Sequence, residues 1–242
     1  MITKVLKAAA IAGMSLFALS SYAATVTLTG DTVVYEYDDQ QAALALFGAP
    51  TIIGDGVRFL PQSFRAQSNE GIGSTTGTNI DLVTANFVFD RVYTKNGNSI
   101  QTIAVGEFGD YDISGGDSVS AALLLTVANN AVVWDFKSDD NPVPEFNASG
   151  DSGGPQTWEL SALIDPLTEL LFAPNDVGVT IQNTLTAITD ESGETAWIQK
   201  KLTFIASADS DVAPPEIPIP AAAWLFGSAL LGLVGVARKK RA

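Results

Sequence analysis

Val83-Thr84-Ala85-Asn86-Phe87-Val88-Phe89 places Val83, Ala85, Phe87 and Phe89 on one side of an extended chain, with Thr84 and Asn86 on the other. Successive side chains of a strand point to opposite faces, so a period of two with one apolar face predicts a half-buried β-strand. The same writing runs in both directions from it. Upstream, Thr25-Val26-Thr27-Leu28-Thr29 alternates, and Gly30-Asp31 turns it into Thr32 to Tyr37. Gly54-Asp55-Gly56 separates Thr51–Ile53 from Val57–Leu60 and reads as a hairpin turn. Between these, Asp38 to Phe47 is rich in Ala and Leu and reads as a short helix or loop cover. Gln67 to Asn79 is polar and Gly-rich, which predicts a loop.

Downstream, Asn96-Gly97-Asn98 turns the chain into a strand over Ser99 to Phe108. Val119 to Val127 and Ala131 to Phe136 read as strands of a hairpin about Asn129-Asn130, and the apolar run Ala121 to Leu125 as a strand covered on both faces. Lys137 to Gln156 is read as irregular. Trp158 to Ile164 resumes strand character. Asp165-Pro166-Leu167-Thr168-Glu169 has an acidic cap, proline at the first helical position and Glu in the first turn, which predicts a short helix. Val177, Val179 and Ile181 alternate on toward Thr189. Asp190-Glu191-Ser192-Gly193 then turns the chain into Ala196, Ile198, Leu202, Phe204 and Ala206, read as one face. Lys200 interrupts that face and marks a strand end or a bulge.

About ten short strands punctuated by turns, with one or two short helices, predict an all-β fold: an antiparallel β-sandwich, with the jelly roll as one form of it. Uneven strands without a recurring aromatic girdle argue against an outer-membrane barrel. No internal repeat is visible. The expected division is a signal peptide over 1–23, a sandwich over 24–206, an acidic and proline-rich linker over 207–220, and a transmembrane helix with a basic tail over 221–242.

Six of the 13 basic residues (Lys4, Lys7, Arg238, Lys239, Lys240 and Arg241) lie in the terminal segments, so the body sets seven cations against 27 acids, a net charge of −20. Such a surface repels phosphate backbones, which excludes nucleic acid as a natural partner. The chain has no Cys and no His. Disulfides are excluded, the common zinc, copper and haem sites lose their ligands, and no imidazole can act as a base.

Gly150-Asp151-Ser152-Gly153-Gly154-Pro155 matches the motif around the nucleophilic serine of trypsin-like proteases. That serine needs a histidine, and none exists, so the stretch reads as a Gly-rich acidic loop; a dyad with Lys137, Lys200 or Lys201 has no supporting spacing. No catalytic residue is assigned and no enzyme is expected. Acidic pairs at Asp38-Asp39, Asp110-Tyr111-Asp112 and Asp209-Ser210-Asp211 could offer hard oxygen ligands to calcium, with Asp139, Asp140 and Asn141 the best local cluster. Trp134, Trp158 and Trp197 could stack sugars, although strand positions favour core packing for each.

At the N-terminus, Lys4 and Lys7 precede the apolar stretch Ala8 to Leu19, and Ser21-Tyr22-Ala23 supplies small residues for cleavage after Ala23. This predicts export through the translocon and cutting by signal peptidase. At the other end, Ile217 to Ala237 is a run of 21 uncharged residues, about what a helix needs to cross a bilayer core of roughly 30 Å. Arg238, Lys239, Lys240 and Arg241 close it as a basic stop retained on the cytoplasmic side.

The order of proline motif, apolar span and terminal cations resembles the PEP-CTERM class of exosortase sorting signals, in the variant whose motif reads Val-Pro-x-Pro-Ala. The matching stretch is Ile217-Pro218-Ile219-Pro220-Ala221, with Ile219 rather than Glu between the prolines and Ala242 following the cations. The resemblance is confined to 214–242. It implies an exosortase as partner, a transient inner-membrane stage, cleavage near the prolines, and transfer to the cell surface or extracellular matrix of a Gram-negative cell that makes exopolysaccharide. The expected function is therefore an exported matrix, biofilm or floc protein. The alternative is a carbohydrate-binding, lectin-like module, with or without calcium; a secreted hydrolase is the least supported reading.

Overall fold

A computed structural model describes residues 24–69, 79–115, 118–132, 134–140, 143–191 and 193–209. The strands, in chain order, are β1 (Thr25–Thr29), β2 (Val33–Asp38), β3 (Thr51–Ile53), β4 (Gly56–Phe59), β5 (Arg65–Asn69), β6 (Asn79–Thr94), β7 (Ile100–Ser114), β8 (Ser118–Asn129), β9 (Phe136–Ser138), β10 (Glu145–Ser149), β11 (Gln156–Ile164), β12 (Asp176–Thr189) and β13 (Thr195–Asp209). Two single-turn helices join them, α1 (Leu44–Phe47) and α2 (Pro166–Glu169). One sheet runs β1-β2-β6-β12-β8-β10, with β9 also on β8; the other runs β11-β7-β13-β4-β3, with β5 also on β13. All strand pairs are antiparallel. From β6 to β8 and again from β10 to β13, each step of the chain crosses to the opposite sheet, so the two layers are sewn together along their length.

The alternation that opened the sequence reading is that of β6: Phe87 and Phe89 are fully buried, and Val83 and Ala85 pack against the same core. Around them stand Tyr35, Tyr37, Phe47 and Phe59, with centroid separations of 4.7 to 6.3 Å and mostly edge-on or tilted rings, the geometry that aromatic quadrupoles prefer. Phe47, the buried residue of α1, closes this end of the sandwich against Phe59 and Phe64. The Gly54-Asp55 turn joins β3 to β4 as expected, with Gly54 at φ 60°. The Asp55 carboxylate reaches beyond the turn and accepts from Thr32 N at 2.6 Å, Thr32 Oγ1 at 2.8 Å and Val33 N at 3.0 Å. In α2, the Asp165 side chain caps Thr168 N at 3.3 Å and Pro166 opens the helix.

Several expectations are corrected. Residues 67–69 belong to β5, paired with β13, rather than to a loop. Ala131, Val132 and Trp134 lie in no strand, because Asn129 and Asp135 close a turn here: Asn129 Oδ1 accepts from Ala131 N at 2.9 Å, and Asn129 N and Nδ2 both donate to Asp135. Side-chain capping of this kind competes with a ladder. The stretch 137–156 is not wholly irregular: β10 lies within it, since Phe146 and Ala148 alternate with polar residues and pack onto the core. In β8, Ala121, Leu123 and Leu125 are buried while Ala122 and Leu124 are half-buried, so one face only is covered.

The largest correction concerns β13. Ala196 and Ile198 face the core as expected, but Lys200 follows them inward, and the register with β7 shifts between Lys200 and Leu202. One extra residue at this bulge reverses the alternation. Thr203, Ile205 and Ser207 therefore face the core, and Leu202, Phe204 and Ala206 turn outward. Of the two meanings proposed for Lys200, the bulge is the one observed. Among the described residues no helix is long and apolar enough to cross a membrane. The signal segment, Ala23, the sorting motif and the basic stop lie outside the described residues.

Candidate functional site

The bulge gives the outer face of the six-stranded sheet its character. Register sets four outward rows across β11, β7 and β13. Leu163 stands beside Ala104 and Ala206, and Ser161 beside Gly106 and Phe204. Glu159 stands beside Phe108 and Leu202, and Thr157 beside Asp110 and Gln199. Small residues at Ala104, Gly106 and Ala206 leave a depression between the larger side chains. Adjoining concavities of about 540, 460 and 480 Å³ run along it, the first two sharing Phe108 and Glu159, the last two sharing Gly106 and Ser161.

The trough is amphipathic. Phe108, in the middle of β7, is 44% exposed, and Leu163, near the end of β11, is 58% exposed. Thr157 and Ser161 supply hydroxyls, and Glu145, Glu159, Asp110 and Asp139 supply carboxylates. Lys201, the extra residue of the bulge, is exposed and pairs with Asp110. The flank is held by close packing beneath it: a Cβ at Gly109 would stand 2.0 Å from Gln199 O and 2.5 Å from Trp158 Nε1, so only glycine lets the indole pass under β7 and donate to Gln199 O at 3.2 Å. A Cβ at Gly56 would meet the Phe204 ring at 2.4 Å, so β4 carries that ring against its backbone.

The residues singled out from sequence do not assemble into one site. Asp139 Oδ2 accepts from Leu163 N at 3.2 Å, which ties it to β11; Asp140 is exposed and Asn141 lies outside the described residues. Among the described residues no three acids stand close enough together to hold a metal ion. Trp158 is buried, Trp134 is 78% exposed in the turn after β8, and Trp197 is half-buried beneath Arg65, whose guanidinium sits 4.5 Å from the ring centroid. The tryptophans thus form no common platform. Ser152 Oγ donates to Asp112 at 2.7 Å and accepts from Ile113 N at 3.0 Å, which binds the glycine-rich loop to β7. Lys137, Lys200 and Lys201 pair with Glu169, Glu107 and Asp110 respectively.

Sequence reasoning missed the trough residues Phe108, Glu159 and Ser161. The available signal was Gly106 and Gly109 within a long strand, since glycine there marks a close approach or a gap.

No family model and no curated protein matches the chain. Among solved structures, one of infectious bursal disease virus Gt strain is similar over 72% of this chain, with a TM-score of 0.34 and 11% identity, and the chain spans 43% of that protein's length. A structure of promiscuous carbohydrate-binding modules from the β-sandwich superfamily gives 0.19 and 9% over 77% of this chain and 97% of that one. The family 11 carbohydrate-binding module from Clostridium thermocellum, in complex with a mixed-linked tetrasaccharide, gives 0.18 and 9% over 62% and 99%.

Proposed function

We propose that the chain is an exported cell-surface or matrix protein, passed to an exosortase through the 214–242 tail, whose sandwich holds polysaccharide in the trough over β7, β11 and β13. The observation that carries the binding reading is the exposed Phe108 ring, set beside Glu159, Ser161 and the Gly106 gap on one sheet face. A sugar ring has an apolar face of C–H groups and an equator of hydroxyls. Phe108 suits the first, and carboxylates that accept hydrogen bonds suit the second. An open trough fits a chain that passes through it, and its small depth suits modest affinity per site, raised by many copies along one polymer. The carboxylates outnumber Lys201, so neutral or amino sugars are favoured over uronates, which would be repelled.

The test is a glycan array probed with the full chain and with Phe108→Ala, with and without a chelator. Retention on neutral or amino-sugar polymers that falls about tenfold in the variant supports the reading; equal retention of both proteins, or none by either, contradicts it. Export and processing are tested separately, by mass spectrometry of the C-terminus in cells with and without the exosortase. An intact Arg238–Arg241 end on surface protein from normal cells would refute processing.

A further inference from the structure

Three polar side chains meet in the middle of the apolar core. Glu107 of β7, Asn183 of β12 and Lys200 of β13 are each no more than 1% exposed. The Glu107 carboxylate spans both: Lys200 Nζ donates to Oε1 at 2.7 Å, where the buried Thr203 hydroxyl also donates at 3.5 Å, and Asn183 Nδ2 donates to Oε2 at 2.9 Å. An amine and a carboxamide from opposite sheets are thereby held side by side on one carboxylate. Phe47 and Phe64 cover the amine, with ring centroids 5.1 and 4.8 Å from Nζ. Asn183 Oδ1 is buried without a hydrogen-bond partner. Such a cluster is expensive to bury if it serves packing alone, and the chain has no cysteine with which to join its sheets.

We propose that Lys200 and Asn183 become joined by an intramolecular amide bond between Nζ and Cγ, with Glu107 carrying the protons. The ammonium first gives a proton to Glu107. The freed lone pair on Nζ attacks Cγ of Asn183, and the Nζ–Cγ bond forms as the carbonyl π electrons move onto Oδ1. A further proton passes from Nζ through Glu107 to Nδ2. The electron pair on oxygen returns, the Cγ–Nδ2 bond breaks, and ammonia leaves. The product is a secondary amide, one ammonia and a neutral Glu107 carboxyl, so the five protons first held by the ammonium and the carboxamide are all accounted for. No oxidant or reductant is needed.

The surroundings favour each step. Burial pushes the Lys200 amine down to about 8, against the opposing pull of Glu107, so the nucleophilic neutral form is within reach near neutral pH. Packing by Phe47 and Phe64 excludes the water that would compete for Cγ. Strand alternation from Ala196 through Ile198 points this amine inward, and the bulge that follows it turns Leu202 outward beside Lys201. The bond replaces a buried ion pair by neutral groups and links β12 of one sheet to β13 of the other.

The test uses the folded full-length chain, denatured and then cut after Glu and Lys. Unlinked protein yields Leu170–Glu191 and Thr195–Lys201 or its Lys200-cut form as separate peptides. The bond predicts one joined species, lighter than the sum of Leu170–Glu191 and Thr195–Lys201 by one ammonia, with the Lys200–Lys201 peptide bond uncut. Separate peptides of full mass overturn the proposal. Lys200→Arg, which keeps the cation, and Glu107→Ala are both expected to return separate peptides; a joined species in Glu107→Ala as abundant as in the unsubstituted chain overturns the role given to Glu107. The unsubstituted measurement decides the bond itself even where a variant fails to fold.

Discussion

Lys200 Nζ lies 2.7 Å from Glu107 Oε1 with both side chains buried between the sheets. Each depends on the other, because an isolated charge in such a place retains its full desolvation cost. Glu107→Ala is expected to lose about 3–5 kcal/mol of stability, measured by denaturant unfolding. Measured against protein in which Lys200 and Asn183 are not joined, replacing both at once, Glu107→Leu with Lys200→Met, should recover most of that loss. A single-variant loss below about 1 kcal/mol would show that the pair is not held as described.

Asp55 makes the sandwich sensitive to acid. Burial alone would raise its carboxyl, but the amides of Thr32 and Val33 and the Thr32 hydroxyl outweigh that and hold it below the usual carboxylate range. A depressed folded value means that the unfolded chain binds the proton more readily. The contribution is therefore complete above the ordinary value of about 4 and is lost as pH falls through the folded one. Asp55→Ala should cost about 1–3 kcal/mol at pH 7. The gap between variant and parent should narrow in unfolding curves taken at progressively lower pH below about 4. A gap that widens there would contradict the assignment.

Gly109 allows Trp158 to lie under β7, where a Cβ would stand 2.0 Å from Gln199 O. Gly109→Ala should destabilise by about 1–3 kcal/mol or more through overpacking, and the Trp158 fluorescence should shift to the red as the indole is displaced toward water. A variant with unchanged stability and emission would mean that the contact is slack.

Much of the sheet framework was legible in the sequence, because its signals are local. The alternation around Phe87, the Gly54-Asp55 turn and the Asp165-Pro166 cap each state their structure within a few residues. What could not be read depends on partners far along the chain. Lys200 announces an interruption, but only its pairing with Glu107, 93 residues away, makes an inward lysine tolerable. The reversed faces of Leu202, Phe204 and Ala206 follow from that choice. The trough was illegible for the same reason: Ser161, Gly106 and Phe204 become neighbours only through the register of three strands. The tail is the opposite case, with its reading carried wholly by sequence.

The central claim is that Phe108 and its neighbours hold polysaccharide, and affinity electrophoresis through gels containing a neutral or amino-sugar polymer such as a mixed-linked β-glucan or chitosan tests it most directly. The full chain should be retarded in proportion to polymer content, and Phe108→Ala combined with Glu159→Ala should migrate at the rate seen in polymer-free gel while unfolding as cooperatively as the parent. Equal retardation of parent and double variant would contradict the account, as would free migration of the parent.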